Sequence, residues 1–243
     1  MKGSPYRLSF FCYTVVMRIN KYISLSGQAS RRKADELIQH GRVRVNNSIV
    51  RQLGMEVDPE KDRVFIDGQL CQVKDNFIYL AFHKPRGYVC THAHYDNEKS
   101  IFDLLPEKFR HLKIAGRLDK DSEGLLILSD DGDLIYRLTH PKFEQEKRYE
   151  ARTSRPLSAE TIQKLKNGVE LEEGLAKADT LQKSGGNIYT ITLHQGWKRQ
   201  IRRMFGSVNA NIVSLTRVSE GNYRLGGLPS GGFKIISRSE VLK

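Results

Sequence analysis

Cysteine is scarce in this chain of 243 residues, and its three cysteines, Cys12, Cys71 and Cys90, lie far apart. They form no Cys-x-x-Cys pair, so nothing in the sequence indicates a disulfide framework, and a reducing cytoplasm fits this usage. No apolar run approaches the roughly 20 residues that a membrane-spanning helix needs. Internal repeats and low-complexity segments are also lacking. We therefore expect a cytoplasmic protein with no membrane partner.

Acidic residues are few relative to basic ones. Lys and Arg number 40 against 28 Asp and Glu, a net charge of +12. The excess is greatest between Gln195 and Lys243, where nine cations face two acids. Hydrophobic residues make up 39% of the chain, enough for a core, so the charge does not indicate disorder. A folded basic protein typically binds a polyanion such as RNA, and solubility alone is the alternative.

The first 16 residues contain a short apolar run, Leu8 to Val16, after Lys2 and Arg7. A signal peptide would need a small-x-small cleavage site, and none follows. Amphipathic patterning begins at Arg18. We therefore expect Met17 to be the natural start and residues 1–16 to be an extension outside the fold.

A compact basic module follows. Ile19, Tyr22 and Ile23 have helical spacing, and Ser30 can cap a helix from Arg31 to His40. Residues 42–47 alternate like one arm of a hairpin, and residues 63–68 predict another strand and turn. The module carries a group of cations, which a solvated helix face would also explain: Arg18, Lys21, Arg31, Arg32 and Lys33.

Residues 71–76 are polar and predict a linker. Beyond it, strands are expected at 77–82, 125–128, 147–151 and 188–193, with helical segments after Ser100, Asp131, Ser158 and Arg199. The tail from Leu215 to Leu242 mixes short apolar runs with Gly and Pro and predicts hairpins. Strands mixed with helices, without regular βαβ units, indicate an α+β fold with a largely antiparallel sheet.

Three short motifs carry the chemistry. Residues 116–128, GRLDKDSEGLLIL, place Asp119 in a loop beside Arg117, whose charge keeps a carboxylate ionised; a surface turn is the alternative. Residues 146–149, EKRY, contain Tyr149. The alternative is a core residue, because a lone tyrosine in a strand usually packs in the core. Residues 196–205, GWKRQIRRMF, hold three arginines, of which one should pair with Asp119; we favour Arg202, with Arg203 as the alternative.

A metal site is the weaker interpretation of Cys90, His92 and His94, which alternate along the chain. Zinc usually needs a fourth ligand, and no second His/Cys pair of suitable spacing follows. We expect a loop here and no metal.

Together these motifs resemble the RsuA-type pseudouridine synthases, whose signature is G-R-L-D-x-x-(S/T)-x-G-L, and the start of the chain resembles their S4 RNA-binding domain. The resemblance implies a small S4 (alpha-L-like) domain at 17–73 and a catalytic domain at 77–243 with a mixed, mostly antiparallel sheet. It implies that Asp119, Tyr149 and Arg202 are catalytic. It also implies substrate contacts by six residues: Lys84, Arg117, Leu118, Arg199, Arg203 and Leu215. Trp197 departs from the family pattern, where Arg is usual.

The implied reaction is the isomerisation of uridine to pseudouridine in ribosomal RNA, with the S4 cations on phosphates. It needs no cofactor, in agreement with the lack of a GxGxxG or P-loop motif. Large-subunit RNA is slightly favoured over small-subunit RNA, and a monomer is expected. An RNA-binding assembly factor without chemistry and a transfer-RNA pseudouridine synthase are the alternatives.

Overall fold

A computed structural model describes residues 16–74, 76–93 and 96–242. The predicted N-terminal extension lies, except for Val16, outside the described residues. The chain separates into two compact units between Asn76 and Phe77. No helix in the described ranges is long and apolar enough to cross a membrane.

The N-terminal unit packs two helices on short strands. Ser30 caps the second helix as predicted, because its Oγ accepts a hydrogen bond from the backbone N–H of Lys33 at 3.2 Å. The core holds apolar side chains from both helices and the strands, among them Ile19, Ile38 and Val64. The elements are α1 (Ile19–Leu25), α2 (Arg31–Gln39), β1 (Met17–Arg18), β2 (Val43–Val45), β3 (Ser48–Val50), β4 (Glu56–Val57), β5 (Val64–Ile66) and β6 (Gln69–Leu70).

Antiparallel pairing connects these strands. The four-stranded sheet has the order β3-β2-β5-β6, and β1 pairs with β4. The predicted hairpin is present as β2 and β3, and Asn46 occupies a positive-φ position in its turn. Asn tolerates this conformation better than most residues do, which explains its place there.

The C-terminal unit is larger and contains most of the strands. Its strands are β7 (Tyr79–Lys84), β8 (Tyr88–Val89), β9 (Lys99–Ser100), β10 (Lys113–Ala115), β11 (Glu123–Ser129), β12 (Lys147–Thr153), β13 (Val169–Leu171), β14 (Gly174–Ala176), β15 (Thr180–Gly185), β16 (Ile188–Leu193), β17 (Ile212–Glu220), β18 (Tyr223–Arg224) and β19 (Phe233–Ile235). Its helices are α3 (Gly132–Thr139), α4 (Ala159–Asn167), α5 (Gln200–Gly206) and α6 (Arg238–Val241), with 3-10 turns at Ile101–Leu104, Glu107–Phe109 and Pro141–Phe143.

One mixed sheet organises this unit. Its order is β15-β16-β12-β17-β11-β7-β19, with β10 paired to β11 and β18 to β17. All pairs are antiparallel except β11 with β17. The α+β architecture with a mostly antiparallel sheet is therefore confirmed.

Strand β11 is buried on both faces of the sheet. Successive side chains of a strand point to opposite faces, so alternate residues of β11 enter two different clusters. Leu126 and Leu128 join a core cluster with Phe82, whereas Leu125 and Ile127 join another cluster beneath α3. The continuous run of apolar residues that follows the Asp119 loop is thus explained by burial on both sides. This strand fixes the loop to the centre of the unit.

The tail forms only part of the predicted hairpins. Strands β17 and β18 make one, but β19 crosses to the other end of the sheet and pairs with β7, with Phe233 opposite Phe82. The expectation of local hairpins was wrong for β19. Short apolar runs between glycines do not reveal whether a strand pairs locally or at a distant edge.

Candidate active site

Asp119 lies in the loop between β10 and β11. The loop is tight: Gly116 has φ +74°, and the N–H of Ser122 donates to the carbonyl oxygen of Asp119 at 3.1 Å. The Asp119 side chain is 29% exposed, so it is open to a substrate but partly shielded from water. A carboxylate on a fixed loop with this exposure suits a nucleophile or a base.

Lys84 holds the loop from beneath. Its side chain is fully buried, and Nζ donates to the carbonyl oxygens of Ser122 at 2.6 Å and Pro85 at 3.1 Å, with Lys120 at 3.5 Å. Burial lowers the pKa of this ammonium, and neighbouring negative charges, among them Asp119, oppose the shift. The predicted RNA contact by Lys84 is therefore wrong, because its ammonium is buried, donates to backbone carbonyls and is not accessible to nucleic acid.

Asp121, two residues after Asp119, binds two arginines. Arg199 donates to both carboxylate oxygens, at 2.9 and 3.1 Å, and Nε of Arg202 lies 3.3 Å from Oδ2. Burial alone would raise the pKa of Asp121, but these two guanidinium groups outweigh it and hold the pKa below its ordinary value. The loop thus carries two carboxylates, and that of Asp121 is paired with two arginines.

The predicted ion pair between Asp119 and Arg202 is wrong. Arg202 instead donates to the backbone oxygens of Asp121 at 3.0 Å and Ile212 at 3.3 Å, and the cation that approaches Asp119 is Arg199, with Nη1 4.0 Å from Oδ2. Arg199 precedes α5 in a left-handed conformation, with φ +52°, so its direction does not follow the helical spacing. Arg203, the alternative, pairs with Glu173 at 2.7 Å.

Tyr149 lies on β12 opposite Arg217 of β17. Its ring is partly buried between two core clusters. Burial raises the pKa of its hydroxyl; the nearby guanidinium of Arg217 opposes this, and the charge of Asp119 adds to it. Tyr149 therefore remains neutral, and it lies within electrostatic reach of Asp119.

Three charged residues lie next to Tyr149 and were not predicted as parts of the site: Lys147, Arg217 and Glu220. All three are buried, and Nη2 of Arg217 lies 3.1 Å from Oε2 of Glu220. Charged residues in a strand of alternating pattern normally indicate a solvent face, so the sequence offered no signal for their burial.

The remaining predicted substrate residues differ in exposure. Arg117 is exposed and open to a ligand. Leu118 is only 8% exposed and packs into the same cluster as Phe82, so its side chain anchors the loop, and its contact with the substrate stays a prediction. Leu215 is buried in the cluster that includes Ala151. Its contact with a base remains a prediction.

The five cations predicted for RNA binding in the N-terminal unit are all exposed: Arg18, Lys21, Arg31, Arg32 and Lys33. Lys33 pairs with Glu36 at 2.8 Å, and Arg31 donates to Asn20 at 3.4 Å. These contacts are at the surface, where ion pairs contribute little, so the cations remain available to phosphates.

Of the alternating Cys90, His92 and His94, His94 lies outside the described residues, and no group of three metal-binding side chains occurs among the residues that the structure describes. His92 stacks on Phe102 with ring centroids 3.8 Å apart, and a ring nitrogen lies 3.1 Å from the carbonyl oxygen of Leu112. Burial raises the pKa of the Cys90 thiol, which disfavours the thiolate that a metal needs.

Comparison with protein families identifies both units. Residues 78–207 match the family described as RNA pseudouridylate synthase, and residues 17–64 match the S4 domain. The first match covers more than half of the chain. The fold and the Asp119 loop thus belong with a known class of RNA-modifying enzymes.

Whole-chain relatives agree. An uncharacterized RNA pseudouridine synthase of Aquifex aeolicus is 36% identical over 230 residues, 93% of this chain and 92% of that protein. Ribosomal large subunit pseudouridine synthase B of Bacillus subtilis is 35% identical over 92% of this chain and 93% of its own length. The solved structure of a pseudouridylate synthase, 26% identical, covers 93% of this chain and 98% of its own, with a TM-score of 0.66.

Proposed function

Because the chain belongs to the RNA pseudouridylate synthase family and carries an S4 domain, we propose that it isomerises uridine to pseudouridine in large-subunit ribosomal RNA. The enzyme class follows from the family: an isomerase that acts on RNA. The substrate is inferred from relatives in Bacillus subtilis and Vibrio vulnificus, both named ribosomal large subunit pseudouridine synthase B. A monomer that acts in the cytoplasm, with domains at 17–73 and 77–243, completes the proposal.

The observation that supports the proposal most strongly is the Asp119 loop itself. The partly exposed carboxylate of Asp119 lies on a loop whose backbone is held by a hydrogen bond from Lys84, and Arg199 lies near it. The target uridine must leave its stack to reach it, which costs a few kcal/mol. Asp119 then acts on the ribose as a nucleophile or as a base that opens a glycal route.

The reaction rearranges one nucleotide. The N1–C1′ bond breaks, the uracil rotates while held, and the C5–C1′ bond forms. The C5 proton then leaves, and N1, which no longer bonds to the ribose, takes up a proton in its place. Each bond broken at C1′ is replaced by another, so the residues need only position the base, stabilise charge and move protons.

Three further side chains have proposed roles. The Tyr149 ring can stack on the uracil, and its neutral hydroxyl can serve in proton transfer. Arg202 acts indirectly. It contacts the carboxylate and the carbonyl oxygen of Asp121 and thereby fixes the loop that carries Asp119. Arg117, exposed next to Leu118, is placed to meet a phosphate of the bound RNA.

The S4 cations supply affinity in this proposal. Arg31, Arg32 and their neighbours neutralise phosphates, which positions the enzyme without reading bases. Specificity for one uridine then arises in the C-terminal unit, where the base is processed.

The test is to incubate purified protein with large-subunit RNA, small-subunit RNA and transfer RNA from cells that lack it, and to map pseudouridine in each. We expect one new site in large-subunit RNA. The Asp119→Asn variant, which replaces a carboxylate with an amide of equal size, should form none while its RNA affinity changes less than about twofold. Modification of transfer RNA alone, or turnover by Asp119→Asn, would contradict the proposal.

A further inference from the structure

A charged cluster lies inside the C-terminal unit behind Tyr149. Arg217 is 1% exposed, Glu220 is fully buried, and Lys147 is 8% exposed. The Lys147 ammonium donates to the carbonyl oxygens of Leu138 and Gln145, at 3.4 and 3.3 Å. Two cations and one carboxylate are thus withdrawn from water together, and none of them belongs to the reaction as described above.

Arg217 connects the parts of the site. Its Nε donates to the carbonyl oxygen of Leu125 in β11 at 2.7 Å. Tyr149 lies directly opposite Arg217 on β12, and the guanidinium charge opposes the rise that burial causes in the pKa of the Tyr149 hydroxyl. Gly116, at the start of the Asp119 loop, also lies against Arg217, because a Cβ placed there would be 3.9 Å from Nη1. One side chain therefore touches the tyrosine strand, the strand after Asp119 and the beginning of its loop.

Glu220 is the only carboxylate paired with this arginine among the described contacts. The Glu220 oxygens accept no hydrogen bond from the described residues, and Nη2 of Arg217 donates none. Their contact is an ion pair at 3.1 Å. Buried ion pairs of this kind are often no more stable than apolar side chains of equal size. Stability alone is thus a weak reason for placing these charges here.

We propose that Glu220 is a positioning residue, which fixes the Arg217 guanidinium between Tyr149 and β11, and that Lys147 supports it by partly balancing the carboxylate. This inference rests on the proposed role of Tyr149 in catalysis. Without Glu220 the two cations would repel each other, and Arg217 would turn from the tyrosine. The Tyr149 hydroxyl would then lose its fixed position relative to Asp119.

The experiment measures release of tritium from C5 of uridine in total cellular RNA taken from cells without the protein. Total RNA is used because turnover by the wild type then does not depend on which RNA is the substrate. A different RNA class in the product would contradict the proposed substrate without affecting the comparison of variants. Single-turnover rates at saturating enzyme separate the chemical step from RNA affinity.

Glu220→Gln should lower the saturated rate about tenfold and change RNA affinity less than about twofold. In a Tyr149→Phe background, which lacks the hydroxyl, the same change should lower the residual rate less than about threefold, since residues that act through one another are not additive. Glu150→Gln, an exposed carboxylate on the same strand as Tyr149, is the matched control and should keep the wild-type rate.

Loss of folding is addressed by the paired variant Lys147→Met/Glu220→Gln, which keeps the net charge of the cluster. We expect its thermal unfolding to approach that of the wild type while its rate remains low. A wild-type rate in this variant would show that the cluster only balances charge, and equal effects of Glu220→Gln with and without the Tyr149 hydroxyl would show a general structural role. Either result would overturn the proposal.

Discussion

Lys84 and Asp121 show how single buried or half-buried charges shape the site. Lys84 binds backbone carbonyls under the Asp119 loop, and Asp121 binds two arginines above it. Neither side chain needs to touch RNA. Both fix the geometry in which Asp119 is presented, which is the condition for a fast reaction at a positioned group.

Lys84→Met removes the ammonium while it keeps much of the side-chain volume. The carbonyls of Ser122 and Pro85 would lose their donor, so we expect a loss of about 2–4 kcal/mol in the free energy of unfolding and a lower turnover. Urea unfolding and the pseudouridine assay measure the two effects. Lys113→Met, at an exposed position, should change neither. Weaker RNA binding with unchanged stability would restore Lys84 as an RNA contact.

Asp121→Asn should show a defined pH dependence. The arginines lower the pKa of this carboxyl below its ordinary 3.8, so its stabilising effect is complete above that pH and is lost as pH falls through the lower folded value. Because the side chain is 40% exposed, we expect only roughly 0.5–1 kcal/mol at pH 7. Urea unfolding from pH 7 down to pH 3 checks this. The exposed Asp96→Asn is the control, and a difference from wild type that grows in acid would contradict the assignment.

At this scale, sequence motifs pointed to Asp119 and Tyr149, and the structure places Asp119 partly exposed on its loop and Tyr149 on β12; their catalytic roles stay predictions. Sequence reasoning failed for Lys84 and for the partner of Arg202. Residue type gives the charge of a side chain but not its burial, and the pairing of Arg199 depends on a backbone conformation that helical spacing cannot predict.

Among the elements, the parallel pair β11 and β17 joins the two halves of the catalytic sheet. Gly124 lies opposite Arg217, with φ +112°, and a Cβ there would lie 2.4 Å from the carbonyl oxygen of Arg217. A glycine is required for this close approach. The two strands carry the residues on either side of the site, so their pairing sets the distance between the Asp119 loop and Arg217.

Gly124→Ala tests this junction. We expect a loss of roughly 2–5 kcal/mol in the free energy of unfolding, from backbone strain and from the clash with a neighbouring backbone. Thermal or urea unfolding measures it. Gly132→Ala provides the control, since nothing lies within 4 Å of its added Cβ and its φ is not positive. Equal stability of both variants would mean that β11 and β17 accommodate the added methyl group without a loss of unfolding free energy, which would contradict the prediction.

The type of most elements was predictable. Ser30 and Ser158 cap helices where the sequence suggested it, and Asp131 caps α3 through bonds to the N–H groups of Asp133 and Leu134. Strand order was not predictable, because β19 finds its partner in β7, about 150 residues away along the chain. Local patterns encode caps and periods, whereas pairing depends on the whole unit.

The whole molecule combines a basic N-terminal unit with a catalytic C-terminal unit. The net charge of +12 is carried by both, and the S4 domain presents exposed arginines and lysines on its first two helices and their flanks. In the proposed function, the N-terminal unit contributes RNA affinity and the C-terminal unit carries out the chemistry. The sequence indicated this organisation because each unit has its own motifs.

Arg31→Gln/Arg32→Gln should weaken RNA binding and reduce its dependence on salt. If each arginine contacts one phosphate, the slope of log K against log salt should fall by roughly 0.7–0.9 for each residue. Filter binding at several salt concentrations measures it. Arg51→Gln/Arg63→Gln removes the same charge from exposed positions near the strands of the unit and should have the smaller effect. An unchanged slope in the first variant would show that the helix cations do not bind phosphate.

The central claim is that Asp119 carries out uridine isomerisation at one site in large-subunit ribosomal RNA. It is tested most directly by mapping pseudouridine in ribosomal RNA from cells that lack the protein and are then supplied with the wild type or with Asp119→Asn. We predict that one large-subunit site disappears and that only the wild type restores it. Restoration by Asp119→Asn, or ribosomal RNA that is unchanged without the protein, would contradict the claim.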